Sequence, residues 1–259
     1  MASEVNINSD LGESFGPWKM GNDPEVLKIV RSANVACGFH AGDPSVMAST
    51  VKLCVDNGVT IGAHPGFQDL QGFRRRVIRM TNAEIEHAMA YQIGALMGVA
   101  ALHGAQVTHV KPHGMMANMS AEDQDLSDAI ARAIRAVDRN LIFLAQAVTA
   151  QVPAARKAGL RVAEEVFADR TYTDAGLLTP RKEKHAMIHD AASSVAHVKR
   201  MIEEQAIFSY GGKKVPCQVD SVCVHGDEPT AVATARAVRE GLEGSQIRIV
   251  PLTELRSMN

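Results

Sequence analysis

The chain has 259 residues, 46% hydrophobic and 22% charged, with a formal net charge of −2. That composition supports a sizeable α/β core, and no basic run or aromatic-interleaved patch points to nucleic acid. No stretch reaches the roughly 18 apolar residues of a transmembrane helix, and the start, Met1-Ala-Ser-Glu-Val-Asn6, lacks the basic and apolar segments of a signal peptide, so a cytoplasmic protein with no membrane partner is expected.

Strand-like and helix-like segments alternate along the chain. Val5 and Ile7 alternate with Asn6, Asn8 and Asp10, which predicts a first strand with one polar face. A helix is predicted over 24–32, with Asp23 as its N-cap and Pro24 at the first helical position. The second strand is read from Asn34 to Gly38. Asp43-Pro44 repeats the cap-and-proline entry for a helix that exits at Gly58. Val59 to Ala63 forms the third strand. Thr81-Asn-Ala-Glu84 has the spacing of a capping box for a long helix to His103. Val107 to Lys111 is the fourth strand, Ser120-Ala-Glu-Asp123 opens a helix to Val137, and Leu141 to Ala145 is the fifth strand. A helix containing Pro153 precedes the sixth strand, Val162 to Phe167. Asp169 to Asp190 has no clean periodicity. Loops of about 20 residues are uncommon unless functional, which makes this one a candidate lid. A helix over 190–206, a hairpin turn at Gly211-Gly-Lys-Lys214, a seventh strand at Ser221 to Val224, a helix from Pro229 to Gly241 and an eighth strand at Ile247 to Val250 complete the pattern.

Such alternation indicates a parallel sheet with crossover helices. Seven or eight units in one chain favour a single (β/α) barrel domain over residues 1–259, with an open doubly wound sheet as the alternative. No internal repeat, linker or glycine-rich dinucleotide fingerprint interrupts it. The four cysteines form no C-x-x-C pair and are read as small buried hydrophobes.

Five polar clusters follow strand-like runs: Asn8-Ser-Asp-Leu-Gly-Glu13, Gly38-Phe-His-Ala-Gly-Asp43, Gly62-Ala-His-Pro-Gly66, Val110-Lys-Pro-His-Gly114 and Val224-His-Gly-Asp227. A parallel barrel gathers its strand ends at one face, where these clusters would share a pocket. His109, Lys111 and His113 fall on one side of the fourth strand. A buried lysine there has a lowered pKa or an anionic partner, either a substrate carboxylate or Asp10 or Glu165. Asp10 and Glu13 could bind a metal, act as base and acid, or orient the lysine; Glu13 could equally cap a turn. His40 and His64 could join a carboxylate around a divalent metal or hydrogen-bond a carbonyl oxygen. Asp43 is explained as an N-cap, and Asp227 could cap the next helix, whereas His225 has no such structural duty. Arg170 could clamp a carboxylate, or join Asp169 in tying down the long loop. No phosphate loop and no G-x-S-x-G elbow is present.

Asn8-Ser-Asp-Leu-Gly-Glu-Ser-Phe-Gly16, Ala33-Asn-Val-Ala-Cys-Gly-Phe-His-Ala-Gly-Asp43, Ile61-Gly-Ala-His-Pro-Gly66, His109-Val-Lys-Pro-His-Gly114, Phe167-Ala-Asp-Arg170 and Cys223-Val-His-Gly-Asp227 together resemble the LamB/YcsF family over nearly the whole chain. The resemblance implies a barrel of the glycoside hydrolase/deacetylase kind. It also implies hydrolysis of 5-oxo-L-proline to L-glutamate coupled to ATP hydrolysis, with 5-oxoprolinase subunits B and C activating the lactam and this chain, as the A subunit, opening the ring. ATP would then act at the level of the complex. The sequence departs from the family pattern at Met115 to Ala117, at Arg74, and in Arg181-Lys-Glu-Lys-His-Ala186, all in loops that would ring the barrel mouth.

In the reaction so expected, Asp10 or Glu13 orients or deprotonates water. His40, His64 and Lys111 stabilise charge developing on oxygen, and His113 and His225 transfer protons. Arg170 clamps the carboxylate, and Asn8, Glu165, Asp169 and Arg181 complete the substrate site. Two other readings stay open: a stand-alone metal-dependent deacetylase or amidohydrolase with Asp10, His40 and His64 as ligands, and a non-catalytic subunit that binds substrate for a partner. A homo-oligomer is also left open.

Overall fold

The computed structural model describes residues 4–73, 76–225 and 231–258. The first six strands, β1 (Glu4–Leu11), β2 (Ser32–Ala36), β3 (Thr60–His64), β4 (Val107–Val110), β5 (Ile142–Gln146) and β6 (Arg161–Phe167), pair in parallel in chain order. An antiparallel hairpin of β7 (Ala206–Phe208) and β8 (Lys214–Pro216) lies outside that sheet. The next strand, β9 (Ser221–Cys223), pairs with β6 on one side and β1 on the other, and so closes a cylinder of seven parallel strands. Around it run α1 (Asp23–Val26), α2 (Pro44–Asp56), α3 (Asn82–Leu102), α4 (Gly114–Glu122), α5 (Gln124–Val137), α6 (Gln151–Lys157), α7 (Ala191–Glu204) and α8 (Ala231–Glu243). Among the described residues, no helix is long and apolar enough to cross a membrane.

Alternation along each strand separates two environments. Val5 and Ile7 pack outward into the main apolar core beneath the helices. Asn6 and Asn8 point inward and are also fully buried. Burying an amide without a partner costs several kcal/mol, so the interior must satisfy itself. Asn6 Nδ2 donates to Ser32 Oγ (2.9 Å), Ser221 Oγ donates to Asn6 Oδ1 (2.8 Å), and Asn8 Nδ2 donates to Ser221 Oγ (2.8 Å). The barrel interior is therefore a polar column rather than a stack of aliphatic layers.

That column needs an apolar floor, which the C-terminal segment provides. The expected eighth strand is a two-residue β10 (Arg248–Ile249) that pairs only with Glu4 and Val5 at the start of β1. Past it, Val250, Leu252, Leu255 and Met258 meet Ile142, Leu144 and Ala163 in a separate buried apolar cluster. Asn6 Nδ2 donates to the Val250 carbonyl (2.8 Å), joining floor to column.

The helix expected over 24–32 is only one turn long, because Ser32 already belongs to β2 and pairs with Asn8. Asp23 does not cap it; its carboxylate accepts the Gly12 amide (2.9 Å), where a φ of +70° suits glycine. The helix expected from Ser120 is two helices. Its second part is capped by Asp123, which accepts the Leu126 amide (3.0 Å), while Ser120 Oγ donates back to the Ala117 carbonyl (3.1 Å). Elsewhere the entry signals match: Asp43 caps α2 through the Ser45 and Val46 amides, and Thr81 and Glu84 form the capping box of α3. The chain from Asp169 to Asp190 holds neither helix nor sheet strand, as expected.

If the C-terminal segment floors the barrel, Leu252→Ala will cost about 2–5 kcal/mol, seen as a lower urea midpoint with an unchanged slope. An unchanged midpoint would mean that the floor does not carry the fold.

Candidate active site

The carboxyl ends of the strands open into a cavity of about 460 Å³. Asp10 and Glu13 reach it from the end of β1, His64 from β3, Lys111 and His113 from just past β4, and His225 from just past β9. The long loop after β6 forms the facing wall through Leu177 to Lys182. Arg170 and Arg181 also line the cavity. Four of the expected site residues stand behind the lining instead: Asn8 and Glu165 below Lys111, His40 behind His113, and Asp169 behind His225.

Lys111 is buried at the centre of this arrangement. Its ammonium donates to Asp10 Oδ1 (3.1 Å), to Glu165 Oε1 (2.9 Å) and to Cys223 Sγ (3.2 Å), and it lies 5.3 Å from the centroid of the Phe167 ring. Burial alone would pull an ammonium pKa down, but Asp10 and Glu165 more than offset it and hold Lys111 well above its usual value. It is therefore a fixed cation and not a general base. Burial pushes Glu165 up, against the pull of Lys111. For Asp10, burial is likewise the largest influence, but His64 and Lys111 together outweigh it and keep the carboxyl well below its usual range.

Beside Lys111 runs a row of two adjacent imidazoles with an acid at each end. Asp10 Oδ2 is 3.3 Å from His64 Nε2, His64 Nε2 is 2.7 Å from His113 Nδ1, and His113 Nδ1 is 3.3 Å from Glu13 Oε1. His64 Nδ1 donates to the Lys111 carbonyl (2.7 Å), so the proton shared between the two rings sits between His64 Nε2 and His113 Nδ1. Glu13 is held below its usual range because His113 outweighs the effect of burial. His40 stacks on His113 with centroids 4.6 Å apart and places Nε2 3.5 Å from Glu13 Oε1. A second acid–imidazole pair stands apart from this chain: His225 Nδ1 is 2.8 Å from Asp169 Oδ2, and the ring stacks on Phe167 at 6.1 Å.

Of the two roles open to Arg170, the loop-holding one is visible: it donates to the carbonyls of Thr179 (2.6 Å) and Ala186 (3.4 Å), pinning the loop over the cavity. The Asp169 carboxylate pairs with His225 rather than with Arg170, while its carbonyl accepts the Ile188 amide (2.8 Å) at the far end of the loop. Arg181 and Lys182, by contrast, line the cavity without a carboxylate partner among the described residues. Of the positions that depart from the family pattern, Met115 and Ala117 line the cavity, while His185 stacks on Tyr210 (3.7 Å). Arg74 and Asp227 lie outside the described residues.

Donor atoms that could share a metal converge in the sets Asp10–His64–His113, Glu13–His40–His113 and Asp10–Cys223–His225 among the described residues. The expected set of Asp10, His40 and His64 does not converge, because His113 stands between the two other imidazoles. Asn34, whose amide donates to Asp10 Oδ1 (2.9 Å), and Phe73, whose ring meets His113 edge-on at 5.3 Å, were not among the expected site residues. The inward-facing register of Asn34 on β2, beside Asp10, is the signal that could have found it; for Phe73 the signal is its place beside Arg74 in the Gly72–Arg76 stretch.

A model of the LamB/YcsF family matches residues 5–257. The 5-oxoprolinase A subunit of Azoarcus sp. (strain BH72) is 50% identical over 252 residues, covering 97% of this chain and 98% of that protein. That of Rhodopseudomonas palustris (strain ATCC BAA-98 / CGA009) is 51% identical and covers 96% and 98%. The crystal structure of a lactam utilisation protein from Thermus thermophilus matches with a TM-score of 0.90 at 39% identity, covering 95% of this chain and 99% of that one. A mutant of the peptidoglycan deacetylase PdaC from Bacillus subtilis matches with a TM-score of 0.50 at 11% identity, covering 99% and 91%. That last likeness is one of fold alone.

Removing the buried cation leaves Asp10 and Glu165 facing each other. Lys111→Met is expected to cost about 3–5 kcal/mol in chemical denaturation, and adding Glu165→Gln to recover about 1–2 kcal/mol. A Lys111→Met protein as stable as the parent would show that the charge is not needed to hold the interior.

Proposed function

We propose that this chain, which belongs to the LamB/YcsF family, opens the ring of an activated 5-oxo-L-proline to give L-glutamate, as the hydrolytic subunit of a cytoplasmic ATP-dependent 5-oxoprolinase. The names of its relatives support the substrate, and their designation as A subunits implies further subunits. The chain has no phosphate loop of the G-x-x-x-x-G-K-[ST] kind, which accords with partners, subunits B and C, supplying the activation by ATP.

The observation that carries the reading is the chain Asp10–His64–His113–Glu13 on the cavity wall, next to a fixed ammonium. Hydrolysis of an amide needs a base for the attacking water, a positive environment for the oxygen that gains charge, and an acid for the departing nitrogen. Asp10, ionised and bound to His64, takes the proton of the water whose oxygen adds to the carbonyl carbon. Lys111 offsets the negative charge carried by the activated carbonyl oxygen and the group bonded to it. When the ring C–N bond breaks, His113 or His225, each backed by a carboxylate, gives the nitrogen its proton. Arg181 and Lys182 supply the charge that a substrate carboxylate would meet. A lactam is a stabilised amide, so ATP and the partner subunits first place a phosphate on its carbonyl oxygen; breaking the ring C–N bond of the water adduct leaves an acyl phosphate, and a second water releases inorganic phosphate to give the carboxylate of L-glutamate.

A second reading is favoured by one detail. His64 donates its Nδ1 proton to a backbone carbonyl and turns Nε2 toward Asp10 and His113, as metal-bound histidines do. Asp10, His64 and His113 would hold a divalent ion there, which would polarise a carbonyl or acidify water, and the chain would then act alone on an amide.

Glutamate release from 5-oxoproline is expected only when ATP and the partner subunits are present. Asp10→Asn should lower kcat by about 100-fold or more, and full activity of that variant would remove Asp10 from the reaction. Stoichiometric metal in the purified chain, together with amide turnover in the absence of ATP, would replace the first reading by the second.

A further inference from the structure

Two fully buried residues behind the cavity, His109 and Asn34, have no place in the chemistry above, yet every polar atom of their side chains is engaged. Asn34 Nδ2 donates to Asp10 Oδ1 (2.9 Å), to Asn8 Oδ1 (2.7 Å) and toward the Ser9 carbonyl (3.3 Å). All three partners are acceptors, so this end of the amide must be the nitrogen. Its oxygen then faces His109 Nε2 at 3.0 Å, and this ring nitrogen must carry the proton. His109 Nδ1, left as the acceptor, lies 2.9 Å from the hydroxyl of Thr108, whose single proton it takes in preference to the Ile61 carbonyl 3.1 Å away.

Room for this ring is made by one residue. A Cβ at Gly62 on β3 would lie 2.2 Å from His109 Nε2, so only glycine lets the imidazole lie across the barrel to reach Asn34. The β3–β4 register shifts between Ile61 and Gly62, at the point where the ring crosses. Burial first, then Lys111 and His64, pushes His109 down to about 3, in keeping with a ring that stays neutral.

We infer that His109 and Asn34 are positioning residues: a neutral imidazole in its Nε2–H tautomer fixes the Asn34 amide, and that amide fixes Asp10 and Asn8 against Lys111. A free amide could turn its oxygen toward Asp10 and push the carboxylate away; the imidazole proton forbids this. Unlike His64 and His113, His109 touches neither the cavity nor a carboxylate, and it acts only through Asn34. The importance of this relay for turnover rests on the proposed hydrolysis; its existence does not.

The test compares His109→Leu, which removes the donor, with His109→Gln, whose side-chain NH2 reaches the place of Nε2. At matched thermal stability, His109→Leu is expected to lose about 10- to 100-fold in kcat with KM little changed, and His109→Gln to recover to within about tenfold of the parent. Equal kcat for the two variants would overturn the inference. In parallel, 15N NMR of the imidazoles at neutral pH should show His109 as the Nε2–H tautomer, with Asn34 amide protons slow to exchange. An Nδ1–H tautomer, or a fast-exchanging Asn34 amide, would overturn it whether or not the protein turns over 5-oxoproline. Absence of turnover alongside the expected NMR result would count against the proposed function and leave the relay standing.

Discussion

A single buried ammonium sets the terms for the interior of this barrel. Lys111 carries its charge into a space closed on all sides by strands, where an unpaired ion would cost several kcal/mol. Asp10 and Glu165 meet it from opposite sides of the closure, one on β1 and one on β6. Each of those carboxylates then needs support of its own. Asn8 donates to Glu165 (2.8 Å) and Asn34 to Asp10, while Ser221, Asn6 and Ser32 continue the bonding downward. Most barrels of this kind fill with branched aliphatic side chains. This one has exchanged that filling for hydrogen bonds, and the apolar floor of Val250, Leu252, Leu255 and Met258 keeps water from the lower end.

The same network gives the cavity its chemical character. The Asp10 carboxylate presents one oxygen to Lys111 and the other to His64, so one side chain joins the buried column to the cavity wall. His64 Nε2 and His113 Nδ1 share a hydrogen bond, and Glu13 approaches the same His113 nitrogen. The His225–Asp169 pair lies at another strand end. Two acid–base units on separate strands can serve two stages of one reaction, which a single histidine would have to do in turn. Arg170 does structural work at the same mouth, holding the loop whose Arg181 and Lys182 face inward.

Much of the fold was legible in the sequence because local rules governed it. The Asp43-Pro44 entry and the Thr81–Glu84 capping box mark real helix starts, since they depend only on nearby amides. The alternation of Asn6, Asn8 and Asp10 marks a strand with an inward polar face. Legibility failed where tertiary pairing overrode a local signal. Asp23 resembles a cap but is drawn to the Gly12 amide, and its helix is cut short by the pairing of Ser32 with Asn8. Ile247 to Val250 reads as a barrel strand, yet β9 already pairs with both neighbours, so only two residues find an edge and the rest turn under.

The sequence by itself determined which chemical groups sit at strand ends, because side chains alternate along a strand and glycine-rich turns follow it. From that alone Asp10, Glu13, His64, Lys111, His113 and His225 could be assigned to a common mouth. Only the tertiary structure decided which of them touch. It set His113 between His40 and His64, gave Lys111 two carboxylates at once, turned Arg170 toward carbonyls and brought Asn34 and His109 to Asp10. The physical reason is that contacts across a closed cylinder depend on strand register, and register is fixed by packing over the whole ring, which no local pattern records.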